Sequence, residues 1–203
     1  GACAGCYEPL YVAKFLQLFP YTVISNATGC SSIWGAQAYE TPYSTDNEGF
    51  GAAWVNPLFE NNAAVGGGIA LGMANERDQT EASREYVLGA IADSESLATK
   101  DCFIALTEQL GSVSNSKAEA GLTLAARIDQ VNSIKQLQVT IDKTIEQAPV
   151  ENIELLTHLR MLRSTVTSNL QKNALIVGGD GWAFDIGLQM LIHVLQSDLD
   201  VVI

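Results

Sequence analysis

Residues 174 to 203 set the tightest constraint on what this chain can fold into. Ala174-Leu175-Ile176-Val177 is a short apolar run, Gly178-Gly179-Asp180-Gly181 is a tight turn, and Val201-Val202-Ile203 is a second β-branched run. Trp182 to Leu195, between them, reads as a helix. A strand, a turn, a helix and the start of a new strand make half of a βαβ unit, which demands a parallel sheet with helices packed on it. The fold class expected is α/β. The glycine turn falls at the carboxyl end of a strand, where open parallel sheets place their ligands.

The remaining sequence divides by texture. Residues 1 to 75 are rich in Gly, Ala, Asn and aromatics and poor in charge. They predict a helix near Leu10 to Phe19, a buried strand at Thr22-Val23-Ile24, and a long loop carrying Thr41-Pro42-Tyr43 and Asn47-Glu48-Gly49. Ala52 to Ala74 predicts a tightly packed helical region, with Gly66-Gly67-Gly68 allowing close backbone approach. From 76 to 172, charges of both signs recur and apolar residues fall at helical spacing. Val131, Ile134, Leu137 and Ile141 share one helix face; Leu155, Leu156, Leu159 and Leu162 line another, and Pro149 separates the two. The domains expected are 1–75, a helical insertion over 76–172 that is a solvated amphipathic bundle without chemistry, and 173–203.

Charge narrows the function classes. The net charge is −12; residues 1 to 75 hold one basic residue, Lys14, and residues 173 to 203 hold none. Nucleic-acid binding needs a basic face and is set aside. An anionic ligand must then be held by backbone N–H groups, a helix N-terminus or a metal ion. No run of about 18 apolar residues marks a membrane span, and no basic-then-apolar start marks a signal peptide. The start at Gly1 and the stop within a β-branched run lead us to expect an internal fragment, inactive alone, that needs the rest of a parent chain.

Four cysteines are present: Cys3, Cys6, Cys30 and Cys102. Two disulfides in a secreted domain are disfavoured by the length, the apolar core and the missing signal. Cys3-Ala4-Gly5-Cys6 is a C-x-x-C pair, and Cys30 adds a third thiol. At that spacing a turn lets both sulfurs face one metal centre, while small residues between them let backbone N–H groups approach sulfur. A dithiol redox pair, structural zinc and an iron–sulfur cluster compete, and spacing alone rates zinc and cluster equally. A fourth ligand within the chain would have to be His158, His193 or Cys102. Both histidines read as packed or surface residues on helical faces, and Cys102, in Asp101-Cys102-Phe103-Ile104, as a buried core cysteine. Asn26-Ala27-Thr28 matches a glycosylation acceptor by chance.

Gly179-Asp180-Gly181 is the second candidate. Its glycines allow positive φ and close approach to a diphosphate, Asp180 can coordinate Mg²⁺, and the helix from Trp182 offers its first N–H groups to the same anion. The plainer alternative is an ordinary strand-to-helix turn with Asp180 as N-cap. A dinucleotide site fits less well, because G-x-G-x-x-G is absent from this turn. Glu8 either touches a cofactor or caps the helix that follows Pro9, and without context the cap reading is the stronger.

Taken together, the motifs resemble one family, pyruvate:ferredoxin (flavodoxin) oxidoreductase. The resemblance rests on Gly1-Ala2-Cys3-Ala4-Gly5-Cys6, on Asn26-Ala27-Thr28-Gly29-Cys30-Ser31-Ser32-Ile33-Trp34-Gly35, on Thr41-Pro42-Tyr43, Ala53-Trp54-Val55-Asn56 and Leu58-Phe59-Glu60, and on Gly179-Asp180-Gly181-Trp182-Ala183-Phe184-Asp185-Ile186-Gly187. It covers the first 75 residues and the last 30 well and the helical middle in position only. It implies part of a thiamine-diphosphate-binding fold, with parallel sheet and flanking helices. It implies that Cys3, Cys6 and Cys30 ligate a [4Fe–4S] cluster, that Glu8 and Cys30 lie against the thiamine, and that Gly179, Asp180, Gly181 and Trp182 bind its diphosphate, with Asp180 on Mg²⁺. No catalytic side chain is assigned. The family's reaction takes pyruvate and coenzyme A to acetyl-CoA and CO₂, with electrons passing to ferredoxin or flavodoxin. The parent would be a homodimer in the cytoplasm or a hydrogenosome-like organelle. Another 2-oxoacid oxidoreductase or a reductase fusion of the same family, and a structural zinc module, are the alternatives. Tyr7 replaces the family's usual glycine, and Pro9 stands before Leu10 where the family has Thr-Pro.

Overall fold

A computed structural model describes residues 2–35, 51–112, 124–170 and 172–203. The expected turns at Thr41-Pro42-Tyr43 and Asn47-Glu48-Gly49 lie outside these residues. In chain order the elements are α1 (Glu8–Leu18), β1 (Thr22–Asn26), α2 (Cys30–Gly35), β2 (Ala53–Val55), a 3₁₀ turn (Phe59–Asn61), α3 (Asn62–Ala92), α4 (Glu95–Ala98) and α5 (Asp101–Ser112). There follow α6 (Leu124–Gln147), α7 (Ile153–Thr165), a 3₁₀ turn (Val166–Asn169), β3 (Asn173–Val177), α8 (Asp180–Phe184), α9 (Leu188–Leu195) and β4 (Val201–Val202). The chain divides into two compact units, Gly1–Met73 with Gln171–Ile203, and Ala74–Leu170. Among the described residues no helix is long and apolar enough to cross a membrane.

The first unit is α/β. Its four strands run parallel in the order β2-β1-β3-β4, with Asn26 opposite Val177 at the centre. Side chains alternate across the sheet, so each face collects its own core. Ile24 and Leu175 meet Val12, Phe15 and Leu16 of α1 and Trp34 of α2 on one face. On the other, Ile176 meets Ala63 of α3, Trp182 of α8, and Leu191 and Val194 of α9. Helices cover both faces, as an all-parallel sheet requires.

The close approach expected in the glycine-rich segment is real at Gly66, where an added Cβ would run into Ile176. The helix expected from Ala52 starts later. Ala53–Val55 is an edge strand paired with β1, and α3 begins only at Asn62. Small residues there suited either state, and the pairing edge of β1 decided for strand. The single helix expected from Trp182 to Leu195 is two helices. Asp185 leaves helical geometry at φ −127° and ψ −116°. The break lets the Trp182 indole pack under Gly187, where an added Cβ would stand 3.0 Å from its Nε1.

The second unit is helical. Leu106 and Leu110 of α5, Val131, Ile134, Leu137 and Ile141 of α6, and Leu155, Leu159 and Leu162 of α7 are buried. Leu156, expected on the same face of α7, is half-buried. Asn152 caps α7, its side-chain oxygen accepting from Leu155 N at 3.0 Å. Cys102 is not a buried core residue. It is half-buried and its thiol donates to Gln147 Oε1 at 3.1 Å.

Candidate functional site

The strand order carries a topological consequence. From β1 the chain moves outward to β2, and from β3 it moves outward the other way to β4. The connections therefore diverge between β1 and β3, and the carboxyl ends of those two strands open a crevice, the usual ligand position in sheets of this kind. Asn26, Ala27 and Gly29 leave β1 there and lead into Cys30, the first residue of α2. Gly178, Gly179 and Asp180 leave β3 there and lead into α8.

Polar side chains fix this edge. Asn62, wholly buried at the start of α3, donates from Nδ2 to the carbonyl of Val177 at 2.9 Å and accepts from Ser25 Oγ at 2.9 Å. The same carbonyl accepts from Ala27 N at 2.8 Å, so the ends of β1 and β3 are tied through one oxygen. Asn26, also wholly buried, accepts from Ser31 Oγ at 2.7 Å and so anchors the first turn of α2. Its burial removes it as a glycosylation acceptor. Asn26 Nδ2 and Trp182 Nε1 are buried at this edge with no hydrogen-bond partner among the described residues. Sequence reading passed over Ser25 and Asn62. The signal available was a pair of polar residues, one at a strand end and one opening an apolar helix, and it does not by itself point to a site.

Glu8 does not cap α1. It occupies the first turn behind Tyr7, makes no capping bond, and its Oε2 accepts from Trp34 Nε1 at 3.1 Å. That bond ties the start of α1 to α2. Glu8 also lines a cavity of about 320 Å³ with Tyr11, Phe15, Val177, Gly178 and Trp182. Its walls are almost wholly apolar, and Glu8 brings the one charged side chain among the residues that line it.

The glycine turn works differently from the expectation. Among the described residues only Gly5 has positive φ, so left-handed backbone is not what Gly178, Gly179 and Gly181 provide. They provide room. A Cβ at Gly178 would overlap the Trp182 indole and stand 3.1 Å from Ala27 Cβ, and one at Gly181 would stand 3.2 Å from Phe59. At Gly179 it would meet nothing within 4 Å. Gly179, not Asp180, is the N-cap of α8, and Asp180 is the first helical residue with its side chain exposed. Open space over Gly179 beside an exposed carboxylate suits a phosphate held through a divalent cation.

Cys3, Cys6 and Cys30 are free and exposed. Cys6 N donates to Cys3 O at 3.1 Å, closing a turn in which Gly5 has φ +82°. Among the described residues no three His, Cys, Asp or Glu side chains are placed to hold one metal ion. The three thiols are therefore not gathered around one point among the described residues. His158 and His193 take no part in such a group. The first stacks on Tyr86 with centroids 4.1 Å apart and shares a 3.2 Å hydrogen bond with Ser83, and the second is exposed on α9.

No family model matches the chain. It is 36% identical over 202 residues to the pyruvate:ferredoxin oxidoreductase of Moorella thermoacetica and 38% identical over 202 residues to the pyruvate-flavodoxin oxidoreductase of Klebsiella pneumoniae. It is 37% identical over 202 residues to the mitochondrial pyruvate dehydrogenase (NADP+) of Euglena gracilis. The alignments cover 99%, 99% and 97% of this chain but only 16%, 15% and 10% of the three relatives. Over nearly its whole length the chain is thus similar to a segment of the pyruvate:ferredoxin (flavodoxin) oxidoreductases.

Proposed function

We propose that this chain supplies one wall of the thiamine-diphosphate site of an enzyme that oxidatively decarboxylates pyruvate with coenzyme A. The products are acetyl-CoA and CO₂, and the electrons leave through iron–sulfur clusters to ferredoxin or flavodoxin. One observation carries the reading. Glu8, Cys30, Gly179, Asp180 and Trp182, singled out separately in the sequence, belong to segments that the topology brings to the carboxyl edge of β1 and β3.

In this reading the backbone of Gly179 to Trp182 receives the diphosphate, and Asp180 holds the Mg²⁺ that neutralises it. The cation replaces the basic side chains that residues 173 to 203 lack. When bound, the thiamine supplies the electron sink that decarboxylation of a 2-oxoacid needs. Glu8, steadied by the Trp34 N–H, faces the cofactor from α1. Cys3, Cys6 and Cys30 serve a [4Fe–4S] cluster whose fourth ligand comes from elsewhere in the parent protein, a homodimer in a reducing compartment such as the cytoplasm. The three thiols are not gathered around one point here, and the cluster assignment is supported by the similarity to the pyruvate:ferredoxin and pyruvate-flavodoxin oxidoreductases.

Two measurements test this. Anaerobic reconstitution of the full-length protein, with and without Cys3→Ser, should show iron and sulfide that the variant loses; stoichiometric zinc without sulfide would leave a structural zinc module in its place. Asp180→Asn should weaken magnesium-dependent thiamine-diphosphate binding by about ten- to a hundredfold.

A further inference from the structure

The turn that presents Cys3 and Cys6 also fits them to each other. Cys3 O accepts from Cys6 N at 3.1 Å, with Ala4 and Gly5 between them and Gly5 at φ +82°. This is a β-turn with glycine at the position that demands left-handed backbone, as in type II. Such a turn holds its first and fourth Cα atoms within about 7 Å, and a disulfide spans Cα atoms about 4.4–6.8 Å apart. The turn therefore holds the two cysteines close to the separation that a disulfide spans. Both thiols are exposed, so an oxidant can reach them. Cys30 begins α2, and among the described residues the three thiols form no ready metal group. The turn brings Cys3 and Cys6 together without any contribution from Cys30.

We infer that Cys3 and Cys6 are a reversible redox-modification site that closes to a disulfide when no metal is bound. The oxidant is a small-molecule disulfide of the glutathione type. One cysteine attacks it and releases a first glutathione thiol; the other cysteine displaces the second from the mixed disulfide. The two protein thiols give up two electrons and two protons, and the oxidant becomes two thiols. The inference deepens the proposed function in one respect. The disulfide withdraws two of the three cluster ligands, so oxidation and cluster loading exclude each other.

The test is made on the metal-free full-length protein, equilibrated with glutathione redox buffer, acid-quenched, alkylated and digested with trypsin. The peptide ending at Lys14 holds Cys3 and Cys6, whereas Cys30 and Cys102 fall in other peptides. The expected product is that peptide unalkylated and lighter by two hydrogens. In Gly5→Val the added Cβ meets no neighbour within 4 Å but the residue must adopt left-handed backbone, so the equilibrium constant for ring closure should fall by about tenfold. Iron and sulfide uptake should be lost in the oxidised protein and restored by dithiothreitol. Stable glutathione adducts at both cysteines, a cross-link from either to Cys30, or uptake indifferent to oxidation would each overturn the inference. Zinc without sulfide in the reduced protein would sink the cluster reading and leave the disulfide standing.

Discussion

A methyl group added at Gly178 or Gly187 runs into the Trp182 indole, whereas at Gly179 it meets open space. Trp182 is 3% exposed and wedged between the two tight positions, so its ring cannot retreat into solvent. Gly178→Ala and Gly187→Ala should each cost about 1–3 kcal/mol of stability, as overpacking does. Gly179→Ala should leave the denaturation midpoint almost unchanged and, on the proposed reading, lower thiamine-diphosphate affinity. Equal stability loss at all three positions, measured by denaturant titration, would contradict this division. Asn62→Ala removes one hydrogen bond from Ser25 Oγ and one from the Val177 carbonyl, which keep the Asn62 backbone carbonyl and Ala27 N as partners. At about 0.5–1.5 kcal/mol for each lost bond, a loss of about 1–3 kcal/mol is expected. The sequence marked the glycines for their flexibility, while packing against Trp182 and Phe59 explains them better. The Glu8–Trp34 bond was beyond reach, because nothing local signals a partner 26 residues away.

Elements were legible where one periodicity governed them. The apolar faces of α6 and α7 read directly, since each buries one stripe, and Leu159→Ala should cost about 2–5 kcal/mol for the void it leaves. Two features escaped, the strand β2 and the break between α8 and α9. β2 is a strand because β1 offers a free edge, and α8 and α9 are separate because an indole needs the space between them. Both outcomes are tertiary and leave no periodic trace. The contact between α3 and α7 adds a pH signature. Desolvation first, and then the hydrogen bond and negative charge of Glu154, hold the Tyr86 phenol above its ordinary value. A folded-state pKa raised above the unfolded value contributes stability that is complete below about pH 10 and lost as pH rises through the folded value. Thermal melts across that range should fall for the wild type and fall less for Tyr86→Phe, the two curves converging at high pH. Parallel curves would mean that the phenol titrates alike in both states.

At the scale of the molecule, the parallel sheet followed from one strand–turn–helix segment, but its order did not. That β1 and β3 are neighbours, with their connections diverging, depends on residues far apart in sequence, and it is this order that turns scattered motifs into one edge. The charge distribution then decides how an anion can bind there. The chain carries −12 overall, with Lys14 as the one cation in residues 1 to 75 and none in residues 173 to 203. A site built from Lys or Arg attracts phosphate over a distance and weakens as salt screens it. A diphosphate held through Mg²⁺ and backbone N–H groups in a negative field has the opposite long-range term, a repulsion that salt relieves. On the proposed reading, thiamine-diphosphate affinity of the full-length protein at saturating magnesium should therefore hold or rise as ionic strength goes from about 0.01 M to about 0.15 M. It should collapse when a chelator removes the cation. An affinity that falls steeply with salt would mean that a basic side chain from outside these residues reaches the diphosphate, and the role given to Asp180 would have to be reassigned.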